Sequence, residues 1–204
     1  MGVSDSENWR VFVALDAPPA ALSDFEKLRN ALRASPLADL ARWSETARPH
    51  ITLRFAAHFP AAAIDELRAR LADAASQMNA FAVVLMGVML LPNARRPRAL
   101  CVGARPSREL AALRAAVNAA FEPFQVAERA RVDAADAFKP HITIGRPRRE
   151  ARFDAAALAE IERLMTDNLT CRRFDATEFA LYRSVLTRRA ALHENLGRYA
   201  LKQP

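Results

Sequence analysis

The 204-residue sequence predicts an α+β fold, bilobal about an approximate two-fold axis, with antiparallel-rich sheets lining a central groove and helices outside. Three observations carry that expectation. Short β-prone runs alternate with amphipathic runs of helical period, in the order strand, helix, strand, helix, strands, followed by a second, similar round. One eight-residue frame occurs twice, as Arg48-Pro49-His50-Ile51-Thr52-Leu53-Arg54-Phe55 and, 91 residues later, as Lys139-Pro140-His141-Ile142-Thr143-Ile144-Gly145-Arg146. No Gly/Ser-rich linker separates the rounds, so residues 1–204 read as one bilobal domain, with residues 1–8 expected to be flexible.

Residues 9–15 are apolar and β-prone and read as a strand. Asp16 and Pro18-Pro19 end it and open a helix whose inner stripe is Leu22, Phe25, Leu28 and Leu32. Residues 35–48 read as a loop into the first repeated frame, whose strand runs to Phe55. His58, just beyond and near Pro60, reads as a loop residue. A helix over about 60–79 turns Ile64, Leu67, Leu71 and Met78 inward. Residues 81–91 form an apolar run too short to span a bilayer and read as a strand bent or broken at Gly87. Residues 92–98 form a basic, turn-rich loop carrying Arg95, Arg96 and Arg98, which reads as solvated, though able to touch a phosphate backbone. Residues 99–103 are a further strand. Ser107 reads as the N-cap of a helix with the stripe Leu110, Leu113, Val117 and Phe121. A loop over 122–138 leads to the second frame. Beyond it come Arg146, Arg148, Arg149 and Arg152, then Asp154, which caps a helix carrying Leu158, Ile161 and Met165. The last strands are expected over 171–174, 177–186 and 196–201, with His193 in a surface loop.

The two frames carry the chemistry. In a strand, alternate side chains share a face. Ile51 and Leu53, like Ile142 and Ile144, then face the core, while His50 and Thr52, like His141 and Thr143, face the other way. A neutral imidazole can take a proton while an imidazolium across the site gives one. Each threonine hydroxyl can donate to an anionic oxygen. Two acid–base groups flanking two donors suit an in-line displacement at phosphorus. Arg54 continues the His50–Thr52 face by alternation. Arg146 would point away from His141 unless Gly145 supplies a bulge that turns it back.

The paired His-x-Thr frames resemble the two-histidine phosphoesterase superfamily, and within it the bacterial RNA 2',3'-cyclic phosphodiesterases, also called 2'-5' RNA ligases. The likeness extends to the opening Arg10-Val11-Phe12-Val13-Ala14-Leu15-Asp16-Ala17-Pro18, to Leu91-Pro92-Asn93 with Arg98-Ala99-Leu100-Cys101-Val102-Gly103, and to Phe179-Ala180-Leu181-Tyr182-Arg183-Ser184. The resemblance implies hydrolysis of RNA 2',3'-cyclic phosphate ends to 2'-phosphates, with reversible 2'-5' ligation as the reverse use of the same groups. It implies His50 as proton donor and His141 as proton acceptor. Thr52, Thr143 and Arg146 would bind phosphate. Arg54 and Tyr182 are further candidates for substrate binding, Tyr182 by stacking a base. The family often has an aromatic side chain at the position of Val13, where this chain has none. The rival readings are a phosphodiesterase acting on a small cyclic nucleotide or a 2'-5' oligonucleotide, and an RNA-binding module without chemistry.

The net charge of +7 favours anionic partners such as RNA. However, 27 of the 30 basic residues are Arg in an Ala-rich chain, which is also what genomic composition bias produces. No cofactor or metal is expected, because two isolated histidines without nearby Cys or carboxylate ligands make no zinc cage. Cys101 and Cys171 read as buried thiols in strands of a cytoplasmic protein. No apolar run is long enough for a membrane span, the acidic start is no signal peptide, and a monomer is expected.

Overall fold

The computed structural model describes residues 7–44, 48–125, 138–187 and 191–203. Among them run nine strands and four α-helices, in the order β1 (Asn8–Asp16), α1 (Pro19–Ala34), β2 (Ala41–Trp43), β3 (His50–Pro60), α2 (Ile64–Ser76), β4 (Phe81–Leu91), β5 (Ala99–Ala104), α3 (Arg108–Phe121), β6 (His141–Pro147), α4 (Ala155–Asn168), β7 (Arg173–Ala176), β8 (Glu178–Leu186) and β9 (Ala191–Ala200). None of these helices is long and apolar enough to cross a membrane.

The strands lie in the order β7-β4-β5-β6-β3-β1-β8-β9, each neighbouring pair antiparallel, with β2 added beside β6. The centre of this order is a seam. There β3 and β6 meet at one pair, Ile51 opposite Ile142. Read outward from the seam, β3-β1-β8-β9 and β6-β5-β4-β7 are four-stranded halves in matching order, which is the expected two-fold. Helices α2 and α3 pack together behind β9 and β3, and α1 and α4 pack together behind β2 and β4. Each half thus has one helix pair and one of the two repeated frames.

The main core lies between helices and sheet and takes Val11, Val13 and Leu15 from β1. The alternate residues Phe12 and Ala14 join Ala180 and Tyr182 in a second apolar cluster on the other face, with Phe55 packed against it. A strand covered on both faces reads as the continuous apolar run that β1 shows.

Local chemistry explains most boundaries. Pro19 opens α1 where its missing N–H costs nothing. Ser107 accepts from the Leu110 N–H at 3.1 Å and Asp154 from the Ala157 N–H at 2.8 Å, as their cap positions predict. The Gly87 break is a slip in register between Leu85 and Val88 within a continuous β4. Glu162 of α4 accepts the Val88 N–H there at 2.7 Å, and a Cβ at Gly87 would come within 2.7 Å of the same carboxylate.

Four local expectations are corrected. The 35–48 loop contains β2, whose three residues are too few to show a period. His58 lies on β3 rather than in a loop, exposed, because the strand runs on to Pro60. His193 lies on β9 rather than in a surface loop, since β9 pairs along the whole of β8 and starts at Ala191. Cys101 is buried in β5, but Cys171 is half-buried just before β7, its Sγ–H donating to the Arg173 carbonyl at 3.6 Å. Residues 1–6, for which flexibility is expected, and most of the 122–138 loop fall outside the described residues; Asn8 opens β1 opposite Pro60.

Candidate active site

Because Ile51 and Ile142 are directly paired and both buried, the register sets its neighbours. One residue on either side, His50 comes across from Thr143 and Thr52 across from His141. Leu53 and Ile144 are buried in the same core as the paired isoleucines. The four polar side chains therefore form a two-by-two patch on the opposite face. All four line an open groove of about 1060 Å³.

Both histidines are held in the same way. The Nδ1–H of His50 donates to the Arg48 carbonyl at 2.9 Å, and that of His141 to the Lys139 carbonyl at 2.7 Å. A carbonyl only accepts, so in each ring the proton sits on Nδ1 and Nε2 is left for the groove. Their environments differ, however. Burial lowers the His141 pKa, and the nearby His50 lowers it further, against the opposing pull of the Lys139 carbonyl. His141 is thereby biased towards its neutral, proton-accepting form.

Behind Thr143 lies Cys101, its ladder partner on β5, with Sγ 3.8 Å from Thr143 Oγ1. Burial pushes the Cys101 thiol up to about 11, although Thr143 and Arg146 pull the other way. It stays protonated at neutral pH and can donate to Thr143 Oγ1. That leaves the threonine O–H to point at a ligand.

Alternation succeeds for the quartet and is broken on both strands just beyond it. On β6, Cys101 pairs with Thr143 but Leu100 with Gly145, so one residue is extra. Ile144 and Gly145 are buried in succession, and Arg146 returns to the groove as the Gly145 bulge predicts. The close approach of β2 explains the glycine, since a Cβ there would meet the Trp43 ring at 3.0 Å. On β3, Val13 pairs with Arg54 but Ala14 with Thr52, another extra residue. This bulge turns Arg54 away from the His50–Thr52 face and onto α3. Its Nη1 donates to Asn118 Oδ1 at 3.2 Å and its guanidinium lies 4.8 Å from the centre of the Phe121 ring. Phe55 takes the groove position instead. Arg54 is thus a packing residue, contrary to strict alternation. Tyr182 is buried as well, its ring stacked on Phe12 at 5.1 Å and its hydroxyl donating to Asp16. Phe12 occupies the face that a base would need.

The structure adds residues that the sequence reading missed. His193 lines the groove beside His50, edge-on to Phe12 at 4.8 Å and to His50 at 5.9 Å between ring centres. Burial and the nearby His50 lower its pKa, while Asp16 raises it. No sequence signal marked it: His193 reaches the groove because β9 pairs with β8, which sets it opposite Ser184. Phe12, stacked on His50 at 5.2 Å, supplies the aromatic wall that Val13 cannot. Among the described residues, Arg10, Arg33, Arg42, Arg48, Arg146 and Arg148 line the groove, and no carboxylate does. Arg95, Arg96, Arg98, Arg149 and Arg152 do not reach it.

The sequence model described as the 2'-5' RNA ligase superfamily matches residues 16–188. Among curated proteins none matches this chain. Solved structures share its fold. A crystal structure of a phosphoesterase matches with a TM-score of 0.74 at 22% identity, covering 97% of this chain and 100% of its own. E. coli LigT complexed with 3'-AMP gives a TM-score of 0.73 at 22% identity over 97% and 100% of the two chains. TT0787 of Thermus thermophilus gives 0.71 at 20% identity over 94% and 97%. LigT has also been crystallised with phosphate, ATP and NADP+.

Proposed function

Because this chain belongs to the 2'-5' RNA ligase superfamily, a group of two-histidine phosphoesterases and ligase-like enzymes, we propose that it hydrolyses the 2',3'-cyclic phosphate ends of RNA to 2'-phosphate ends. The observation that carries this reading is the quartet. Two Nδ1-anchored histidines stand diagonally across two threonines in a groove lined by arginines and no described carboxylate.

In this mechanism water attacks phosphorus in line with the bond to the ribose 3'-oxygen. His141 Nε2 takes the water proton, which its lowered pKa favours. His50, protonated on Nε2, gives its proton to the departing 3'-oxygen. The phosphate stays on the 2'-oxygen, and the two histidines exchange protonation states. Thr52 and Thr143 donate to the non-bridging oxygens and, with Arg146, hold the charge that grows there. With a 5'-hydroxyl in place of water, the same groups acting in the same order would form a 2'-5' linkage.

The complexes of LigT with 3'-AMP and phosphate support a nucleotide in the groove, and those with ATP and NADP+ support a small nucleotide as the second reading. A product assay on an RNA ending in a 2',3'-cyclic phosphate, with EDTA present, tests the proposal. A 2'-phosphate end formed in EDTA is expected; an unchanged end or a 3'-phosphate would refute it.

A further inference from the structure

We propose that Arg42 and Arg148, beside the Arg146 that holds the attacked phosphate, form a second anion subsite, which takes a phosphate ester on the 5'-oxygen of the nucleotide whose cyclic phosphate occupies the quartet. The inference rests on the phosphodiesterase reading and narrows its substrate to one that carries a phosphate beyond the one attacked.

The argument begins with β2. Its ladder with β6 pairs Ala41 with Pro147, Arg42 with Arg146 and Trp43 with Gly145. Ala41 and Trp43 are buried, which anchors the strand, and Arg42 is exposed and lines the groove. Two arginines therefore stand directly opposite each other in one ladder. Like charges in a cross-strand pair are destabilising. Among the described residues, neither guanidinium meets a carboxylate that would offset the repulsion. Arg148 follows two residues after Arg146, held by its backbone N–H on the Leu40 carbonyl at 2.9 Å, and also lines the groove. Its contact with Asp39 is long, at 3.8 Å, and both side chains are mostly in solvent, so water and salt screen it. An anion seated between these guanidinium forks would turn the repulsion into paired, charge-assisted hydrogen bonds.

Position separates this anion from the one attacked. The Arg42–Arg146 row lies three residues along β6 from the His50–Thr143 row, one of them the bulged residue, so the ladder advances by two steps, about 7 Å of strand. The quartet, with Arg146 reaching towards it, supplies the donors for one phosphate. The arginine row continues away from it along the same groove, as the next phosphate of a nucleotide chain would.

The test uses the intact protein and two readouts. In turnover, adenosine 2',3'-cyclic phosphate is compared with its 5'-phosphorylated form and with a cyclic-phosphate-ended dinucleotide. The wild type is expected to favour both phosphate-bearing substrates by about tenfold or more in kcat/KM. That ratio should fall towards one in Arg42→Gln and in Arg148→Gln, the latter lying outside the ladder in case the first variant disturbs β2. An advantage for the dinucleotide over the 5'-phosphorylated mononucleotide assigns the phosphate to an RNA chain; equality assigns it to any 5'-phosphorylated nucleotide. In binding, unliganded Arg42→Gln should melt above wild type, because the like-charge pair is gone, and should gain less Tm from inorganic pyrophosphate. A merely structural Arg42 would give a lower Tm and an unchanged pyrophosphate effect. That result, or a wild-type ratio of one, overturns the subsite. If no cyclic substrate turns over while the melting behaviour holds, the proposed reaction fails and the anion subsite stands.

Discussion

A general acid matters in proportion to how badly the leaving group needs a proton, which gives the two histidines separable signatures. His50→Ala and His141→Ala should each lower turnover of a cyclic phosphate by about 10²–10⁴. On a nitrophenyl phosphodiester, whose leaving group departs as a stable anion, His50→Ala should recover much of that loss and His141→Ala should not. Rescue of His141→Ala alone would reverse the roles. The environment of His141 adds a pH prediction. A base must be neutral, so activity should rise with pH through the His141 pKa; since burial and His50 lower that pKa, the acid limb of a kcat/KM profile should fall below the ordinary value near 6.5. The alkaline limb should vanish in His50→Ala, where no proton donor remains to be lost. For the threonines the hydroxyl is the working group. Thr52→Ser and Thr143→Ser should stay active, while each Ala variant should lose roughly 1.5–3 kcal/mol of transition-state stabilisation in kcat/KM. Equal rates for Ser and Ala would mean that these residues only suit a strand.

At the scale of elements, one buried carboxylate joins α1 to the turn between α4 and β7. Asp24 accepts the Thr170 and Cys171 N–H groups at 2.8 Å each and the Thr170 hydroxyl at 2.7 Å. Burial raises its pKa, but these donors, with Lys27, outweigh burial and hold it at about 2. A carboxylate depressed on folding contributes stability that is complete above its unfolded value near 3.8 and is lost as pH falls through about 2. The shift corresponds to about 2 kcal/mol. Asp24→Asn should therefore unfold in urea with a deficit of that order at pH 7, and its gap from wild type should narrow between pH 4 and pH 2. A gap independent of pH would mean that the carboxylate charge plays no part. The elements also show where pattern reading stops. Caps at Ser107 and Asp154 are local hydrogen bonds and were legible. The bulge that returns Arg146 was legible through Gly145. The bulge that removes Arg54 carries no glycine; it follows from how β3 meets β1, so alternation alone placed Arg54 wrongly.

At the scale of the molecule, six arginines from five segments converge on one groove without a described carboxylate. RNA binding should therefore weaken steeply with salt, each contacted phosphate adding about 0.7 to the log–log slope, and a cyclic mononucleotide should show a shallower dependence. A flat response for RNA would favour the small-nucleotide reading. The convergence itself was not readable along the chain. The two rounds of elements suggest lobes made of successive halves, yet one half of the sheet joins β1 and β3 to β8 and β9 from the other end of the chain. By itself the sequence determined the two motif strands, their inward isoleucines and their outward His and Thr pairs. Each of those follows from a period of two and a local apolar partner. Only the tertiary structure decided that Arg42 stands opposite Arg146, that Phe12 covers Tyr182, and that His193 comes beside His50. Those contacts join segments about 100 to 170 residues apart, and their register is set by packing between strands, which no local periodicity encodes.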